Sequence, residues 1–170
     1  LIDRGAHNVN LVNPTHFAAA ILESLREGLP VPVVWNTGGY EKAETLRRFE
    51  GKVQVYLPDL KYFYPDSARK YSAARNYFDC AGPALKEMLR QTGPVELDAD
   101  GVIRRGTLVR HLILPGCAEE SIRLLDWIAD NLPGAWVSLM AQYLPFGEVA
   151  GVDQLDRRLT QEEYDAVVDH

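Results

Sequence analysis

Four apolar segments of this chain carry or end in side chains able to hold a polar ligand. They are Val-Val-Trp-Asn-Thr-Gly-Gly-Tyr over 33–40, Val-Tyr-Leu-Pro-Asp-Leu-Lys over 55–61, Leu-Val-Arg-His-Leu-Ile-Leu-Pro-Gly over 108–116 and Ser-Leu-Met-Ala-Gln-Tyr-Leu-Pro over 138–145. Asn36 and Thr37 offer an amide and a hydroxyl. Gly38 and Gly39 either let the backbone approach a ligand closely or merely supply a βα turn. Asp59 and Lys61 stand two apart, so on a strand they share a face. The aspartate suits a cation, hydroxyl or amine and the lysine a carboxylate, unless the two simply pair at a strand end. A Schiff-base role for Lys61 would require a strongly lowered pKa.

Arg110 lies inside an apolar strand, where a buried guanidinium calls for an acid from a ligand or from the chain itself. His111 points to the other face, either towards a site or into a hydrogen bond under a helix. Asn13-Pro14-Thr15-His16 opens a helix, whose N-terminus attracts anions or is simply capped there. Gln142 and Tyr143 end the last strand and contact a ligand or close the core. His7, His16, His111 and His170 are scattered, and neither Cys80 nor Cys117 has a second cysteine within four residues, so no metal site is read. No Ser-His-Asp order, Walker loop or dinucleotide fingerprint occurs, and no residue is assigned as catalytic.

These groups depend on strands to position them. Strands are predicted over 8–12, 31–36, 52–59, 108–114 and 135–143. Helices are predicted from Pro14 to a stop at Gly28, over 41–49, 76–91 and 119–131, with a short helical turn over 65–71. A last helix runs through Val168 from a Thr160/Glu163 capping box. Residues 95–97 and 102–104 flank Asp98-Ala99-Asp100-Gly101, a hairpin signal. Alternating strands and helices, with strands apolar on both faces, imply a parallel sheet under helical cover. Ligands of such folds sit outside the carboxyl ends of the strands, where the polar groups cluster. A closed eightfold barrel usually takes ~250 residues. The expected fold is therefore an α/β open or partial TIM-like barrel of about five parallel strands, with the hairpin as an insertion outside it.

The 170 residues, 46% hydrophobic and 25% charged, suit one domain over 1–170. The formal net charge of −6 argues against broad nucleic-acid binding and against anionic membranes. No apolar run approaches the ~20 residues of a membrane span. Two cysteines make no disulfide scaffold, so the cytoplasm is the expected compartment. The chain opens on Leu1 close to a buried strand and reads as a fragment truncated at its N-terminus.

Taken in order, residues 8–17, 36–40, Asp59-Leu60-Lys61, 109–116 and 140–145 resemble the radical S-adenosylmethionine (SAM) superfamily, most closely proteins similar to the pyruvate formate-lyase activating enzyme. The resemblance implies a partial βα barrel of six strands, of which the five here are the second to the sixth. It implies a [4Fe-4S] cluster held by a Cys-x3-Cys-x2-Cys loop, and SAM cleaved reductively to a 5′-deoxyadenosyl radical. It also implies an electron donor and a protein substrate such as a glycyl-radical enzyme. By that resemblance Asn13, Thr15, Asn36, Thr37, Gly38, Asp59, Lys61, Arg110, Gln142 and Tyr143 line the SAM site. Two departures stand out. The cysteine loop is absent from this chain, so its barrel alone is expected to be inactive. Asn13-Pro14-Thr15 replaces the usual Gly-Gly-Glu that meets the SAM amino group. A catalytically silent barrel that binds a ligand or partner is the alternative, and a lysine-dependent lyase using Lys61 is a weaker third reading.

Overall fold

The computed structural model describes residues 2–147, Val149, Gly151 and 153–170. The single-domain reading over 1–170 also takes in Leu1, Glu148, Ala150 and Val152, which lie outside the described residues. Along the chain run β1 (Val9–Val12), α1 (Ala18–Ser24), β2 (Val33–Thr37), α2 (Ala43–Arg47), β3 (Val55–Pro58), α3 (Pro65–Ser72), α4 (Tyr77–Thr92), β4 (Glu96–Leu97), β5 (Ile103–Leu112), α5 (Ala118–Asn131), β6 (Trp136–Met140) and α6 (Gln161–Val168). The main strands pair in the order β1-β2-β3-β5-β6, all in parallel. The sheet does not close, and β1 and β6 are its ends. The strand adjacency expected between 31–36 and 52–59 is present, with Asn36 opposite Leu57.

Strand alternation sorts the side chains into two environments. Val33, Trp35, Tyr56, Val109 and, more loosely, Leu11 join one hydrophobic cluster with Leu46 of α2, Leu85 and Met88 of α4, and Leu124 and Ile128 of α5. The intervening residues Val34, Asn36, Leu108, Arg110 and Leu112 are only half-buried. Helices thus cover one face of the sheet closely, and the other face stays accessible. That accessible face carries the polar groups singled out above. Asn36 and Arg110 are on it because each lies one residue from a core position, Trp35 and Val109.

Several boundaries differ from the sequence reading. The first helix begins as a 3-10 turn over Pro14–Phe17, and Asn13 adopts a left-handed conformation (φ 47°) without a side-chain cap. The hairpin is not separate from the main sheet. Its second arm and the fourth main strand form one ten-residue strand, β5, with β4 antiparallel to its start. Gly106 makes the continuity possible at φ +129°, where a β-carbon would lie 2.6 Å from the Cα of Val95. The last strand stops at Met140, short of Gln142 and Tyr143. The Thr160/Glu163 capping box forms as expected. No described helix is long and apolar enough to cross a membrane.

Candidate functional site

Strand pairing continues past the end of β3 and brings its polar groups beside those of β2 and β5. Asp59 N–H donates to the Thr37 carbonyl at 2.8 Å, and Leu60 N–H to the Arg110 carbonyl at 2.9 Å. Asp59 and Arg110 therefore sit side by side across a parallel bridge. Arg110 Nη2 is 2.7 Å from Asp59 Oδ1 and donates to Asn36 Oδ1 at 2.9 Å. Arg110 Nε is buried and has no partner. Lys61 Nζ lies 3.8 Å from Asp59 Oδ2. Of this cluster Asp59 and Lys61 line a cavity of about 240 Å³, together with Tyr62, Leu112, Leu114 and Met140, while Arg110 and Asn36 lie outside its lining. Apolar walls with a few charged groups are the usual make-up of small-molecule pockets.

Tyr77 of α4 holds the two loops that frame this cavity. Its hydroxyl is 2.9 Å from both the Gly38 and the Asp59 carbonyls and accepts from Lys61 N–H at 3.1 Å. Burial raises the Tyr77 hydroxyl well above the usual tyrosine range, so it acts as a neutral donor. Gly39 sits in the same clasp at φ +80°. A β-carbon there would lie 2.1 Å from the Asp59 carbonyl oxygen. The close approach that two glycines allow is thus made to the neighbouring loop. Glu120, in the first turn of α5, accepts from the Phe63 and Tyr64 amides at 2.8 Å each and anchors the far end of the Lys61 loop.

A second cavity, about 350 Å³, is lined by Asn13, Thr15, His16, Thr37, Gly38, Tyr40 and Glu41. Thr37 points to the helix-covered face, one residue out of phase with Asn36, and its hydroxyl donates to Glu41 Oε1 at 2.6 Å. The Thr15 hydroxyl donates to the same oxygen at 2.5 Å. Asn13 joins the ladder through its N–H, which donates to the Asn36 carbonyl at 2.8 Å.

The ten expected site residues thus fall into three groups. Asn36, Asp59, Lys61 and Arg110 share one site. Asn13, Thr15, Thr37 and Gly38 surround the adjoining cavity. Gln142 is exposed, and the Tyr143 hydroxyl donates to the Leu155 carbonyl at 2.9 Å, which ties down the segment after β6. His111 is buried between the Leu60 carbonyl at 2.7 Å and the Ser121 hydroxyl at 2.8 Å, the hydrogen-bonded histidine under a helix. Its pKa is lowered, first by burial, against the raising effect of the Leu60 carbonyl and the more distant Glu120 charge. Glu41, Tyr77 and Glu120 were missed from sequence. Glu41 alone carried a signal, an acid directly after the Gly-Gly-Tyr turn.

No group of three or more His, Cys, Asp or Glu able to hold a metal ion occurs among the described residues. Cys80 lies in α4 and Cys117 just ahead of α5, both half-buried thiols.

Fold and site together define an open, mostly parallel α/β sheet with a polar cavity at the carboxyl ends of its strands. No family model matches the chain. A relative from Methanocaldococcus jannaschii, the "Uncharacterized protein MJ0674", is 31% identical over 168 residues, which make up 95% of this chain and 45% of that protein. The chain therefore spans a little under half the length of the curated relative it matches.

Proposed function

We propose that this chain is most of the partial, TIM-like barrel of a radical SAM protein and binds SAM at the carboxyl ends of β2, β3 and β5. The observation that supports this reading is the cluster in which Arg110 reaches Asp59 at 2.7 Å and Asn36 at 2.9 Å, with Lys61 at its edge. Its chemistry fits a zwitterionic nucleoside. Lys61 suits a carboxylate, Asp59, held in place by Arg110, suits hydroxyl or amine donors, and the apolar wall of Leu112, Leu114 and Met140 suits the uncharged part of the ligand. Asn13, Thr15, Thr37 and Gly38 contribute the adjoining cavity. Gln142 and Tyr143 have the least support. Held by these residues beside a cluster, SAM would supply radical chemistry.

The residues of this chain do not fit the [4Fe-4S] cluster, which needs thiolates at defined spacing, and Cys80 and Cys117 stand on different helices or their flanks. In this proposal the cluster ligands belong to a part of the parent protein beyond these 170 residues, and so does activity. The protein substrate and electron donor belong to that whole protein too.

The test is calorimetric titration of the chain with SAM and with S-adenosylhomocysteine. Binding between about micromolar and millimolar Kd is expected, at least about tenfold weaker in Asp59→Ala and Arg110→Ala. Failure of either compound to bind, or equal affinity in both variants, overturns the assignment. The lack of a fitting thiolate set also favours a second reading, a barrel that binds its ligand without chemistry. Iron counting and 5′-deoxyadenosine detection on the whole parent protein, reconstituted anaerobically, separate the two. A Schiff-base lysine finds less support, because the Lys61 side chain is 45% exposed and lacks the desolvated pocket such an amine requires.

A further inference from the structure

We infer that the segment from Lys61 to Asn76, on the rim of the strand-end site, is a docking surface for an acidic segment of a partner protein. Four of its five charged residues are basic, Lys61, Arg69, Lys70 and Arg75 against Asp66, so the run is +3 in a chain of net charge −6. All four basic residues are exposed. Arg75 forms no ion pair among the described residues. Arg69 meets Asp66 at 3.6 Å, with both side chains well exposed, and Lys61 meets Asp59 at 3.8 Å. Exposed pairs of this kind hold weakly, so both cations can turn to another acid. Tertiary contacts gather these charges beside the site. The Tyr62 and Ser72 hydroxyls lie 2.8 Å apart, which draws the end of α3 against the Lys61 loop. The chain then turns through Ala73 in a left-handed conformation, φ 52°, and the Tyr77 hydroxyl, two residues past Arg75, accepts from Lys61 N–H. The Tyr40 hydroxyl donates to Asn76 Oδ1 at 2.6 Å. Tyr40, Lys61, Tyr62, Ser72 and Tyr77 help to line a cavity of about 190 Å³ there. It adjoins the strand-end cavity through Lys61 and Tyr62, which line both.

Charge and extent select the partner. A carboxylate that enters the small cavity meets Lys61, while the tyrosine rings flank its aliphatic stem. Arg69, Lys70 and Arg75 continue the attraction along α3 and past its end. The eight residues of α3 span about 12 Å. One small anion would leave most of these cations unused, whereas an extended peptide of about four residues reaches that far. A nucleic acid presents an unbroken line of phosphates, and beyond this patch the acidic remainder of the chain repels it. A basic partner would meet like charge. The partner is therefore a protein segment with several Asp or Glu residues close together.

The inference stands on this charge pattern and does not require the SAM reading. The experiment is fluorescence anisotropy of the chain with a fluorescein-labelled peptide, Gly-Glu-Glu-Gly-Glu-Glu-Gly, and with its glutamine and lysine counterparts carrying the same dye. The glutamate peptide is expected to bind with a Kd of about 0.1–1 mM at low salt, at least about threefold more weakly at about 0.3 M salt, where the charges are screened. The other two peptides should not bind. Arg69→Glu and Arg75→Glu should each weaken the glutamate peptide at least about threefold, and together at least about tenfold. Arg48→Glu, an equal change of charge at an exposed position ending α2, should leave its affinity unchanged. Equal binding of the glutamine peptide, no binding of the glutamate peptide, or the same loss in Arg48→Glu as in Arg75→Glu would overturn the proposal. So would tighter binding of a labelled oligouridylate of the same charge, which would make the surface a nucleic-acid site. Should a variant fail to fold, the peptide series and the oligouridylate on the unaltered chain still decide. Glutamate-peptide binding without SAM binding supports this inference and counts against the SAM reading alone, and SAM binding without peptide binding does the reverse.

Discussion

Arg110 of β5 meets Asp59, just beyond β3, at 2.7 Å, while its neighbour His111 faces the opposite way and bonds the Leu60 carbonyl and Ser121. One strand thus serves the open face and the core with adjacent residues, and each of the two has a partner in the segment after β3, Asp59 for Arg110 and the Leu60 carbonyl for His111. The loop bearing Asp59, Leu60 and Lys61 is consequently held from both sides of the sheet.

The Asp59–Arg110 pair is partly shielded, with side chains 22% and 28% exposed. Exposed pairs contribute about 0–1 kcal/mol, and this one is expected at the upper end or above, roughly 1–2 kcal/mol. A double-mutant cycle with Asp59→Ala and Arg110→Ala, read by urea unfolding, gives the coupling directly. A coupling near zero would mean that the pair does not shape the free site.

Gly39→Ala should be severely destabilising, by about 2 kcal/mol or more. The new methyl would meet the Asp59 carbonyl at 2.1 Å and lie 2.9 Å from the Tyr77 hydroxyl, at a φ of +80°. Thermal unfolding checks this. Gly51→Ala is the control, because it has a similar φ and nothing within 4 Å. It should cost only the backbone strain.

His111 gives stability a pH dependence. Burial lowers its folded-state pKa below the unfolded value, which is about 6.5. Its contribution is therefore complete above about pH 6.5 and is lost as pH falls through the folded pKa. Melting temperature should fall between neutral and mildly acidic pH, and His111→Asn should flatten that part of the profile. An unchanged slope in the variant would assign the acid sensitivity to other groups.

Glu120→Ala should release the Lys61 loop without dissolving the sheet. It strips the acceptor from the Phe63 and Tyr64 amides, which lie 57 and 56 residues away in sequence. Loss of a buried acceptor costs about 1–3 kcal/mol. Hydrogen exchange should accelerate at Phe63 and Tyr64 by tenfold or more, while β2 and β5 amides keep their protection. Uniform acceleration would show that Glu120 supports the whole fold instead.

The strand order, the helix starts and stops to within a few residues, the Thr160/Glu163 capping box and the opposite facing of Arg110 and His111 were all legible in the sequence. Each depends on local rules, namely alternation along a strand and hydrogen bonds within a turn, so a short window contains what is needed. The convergence of Asn36, Asp59 and Arg110 was legible too, because sequential parallel strands bring their carboxyl ends to one edge.

Tertiary structure alone decided the rest. Glu41 read as the start of a helix, yet it is the buried acceptor for Thr15 of the 3-10 turn and Thr37 at the end of β2. Tyr77 read as an ordinary helix residue, yet its hydroxyl ties the loop after β2 to the loop after β3. The hairpin arm became the first half of β5 because Gly106 lets Val95 approach, and β6 ended before Gln142 could reach the site. Such relationships depend on how helices dock on the sheet and on where strand pairing stops. Both are set by contacts between residues far apart in the chain, so no local pattern encodes them. The residue types able to bind a ligand were written in the sequence, and docking determined which of them share a cavity.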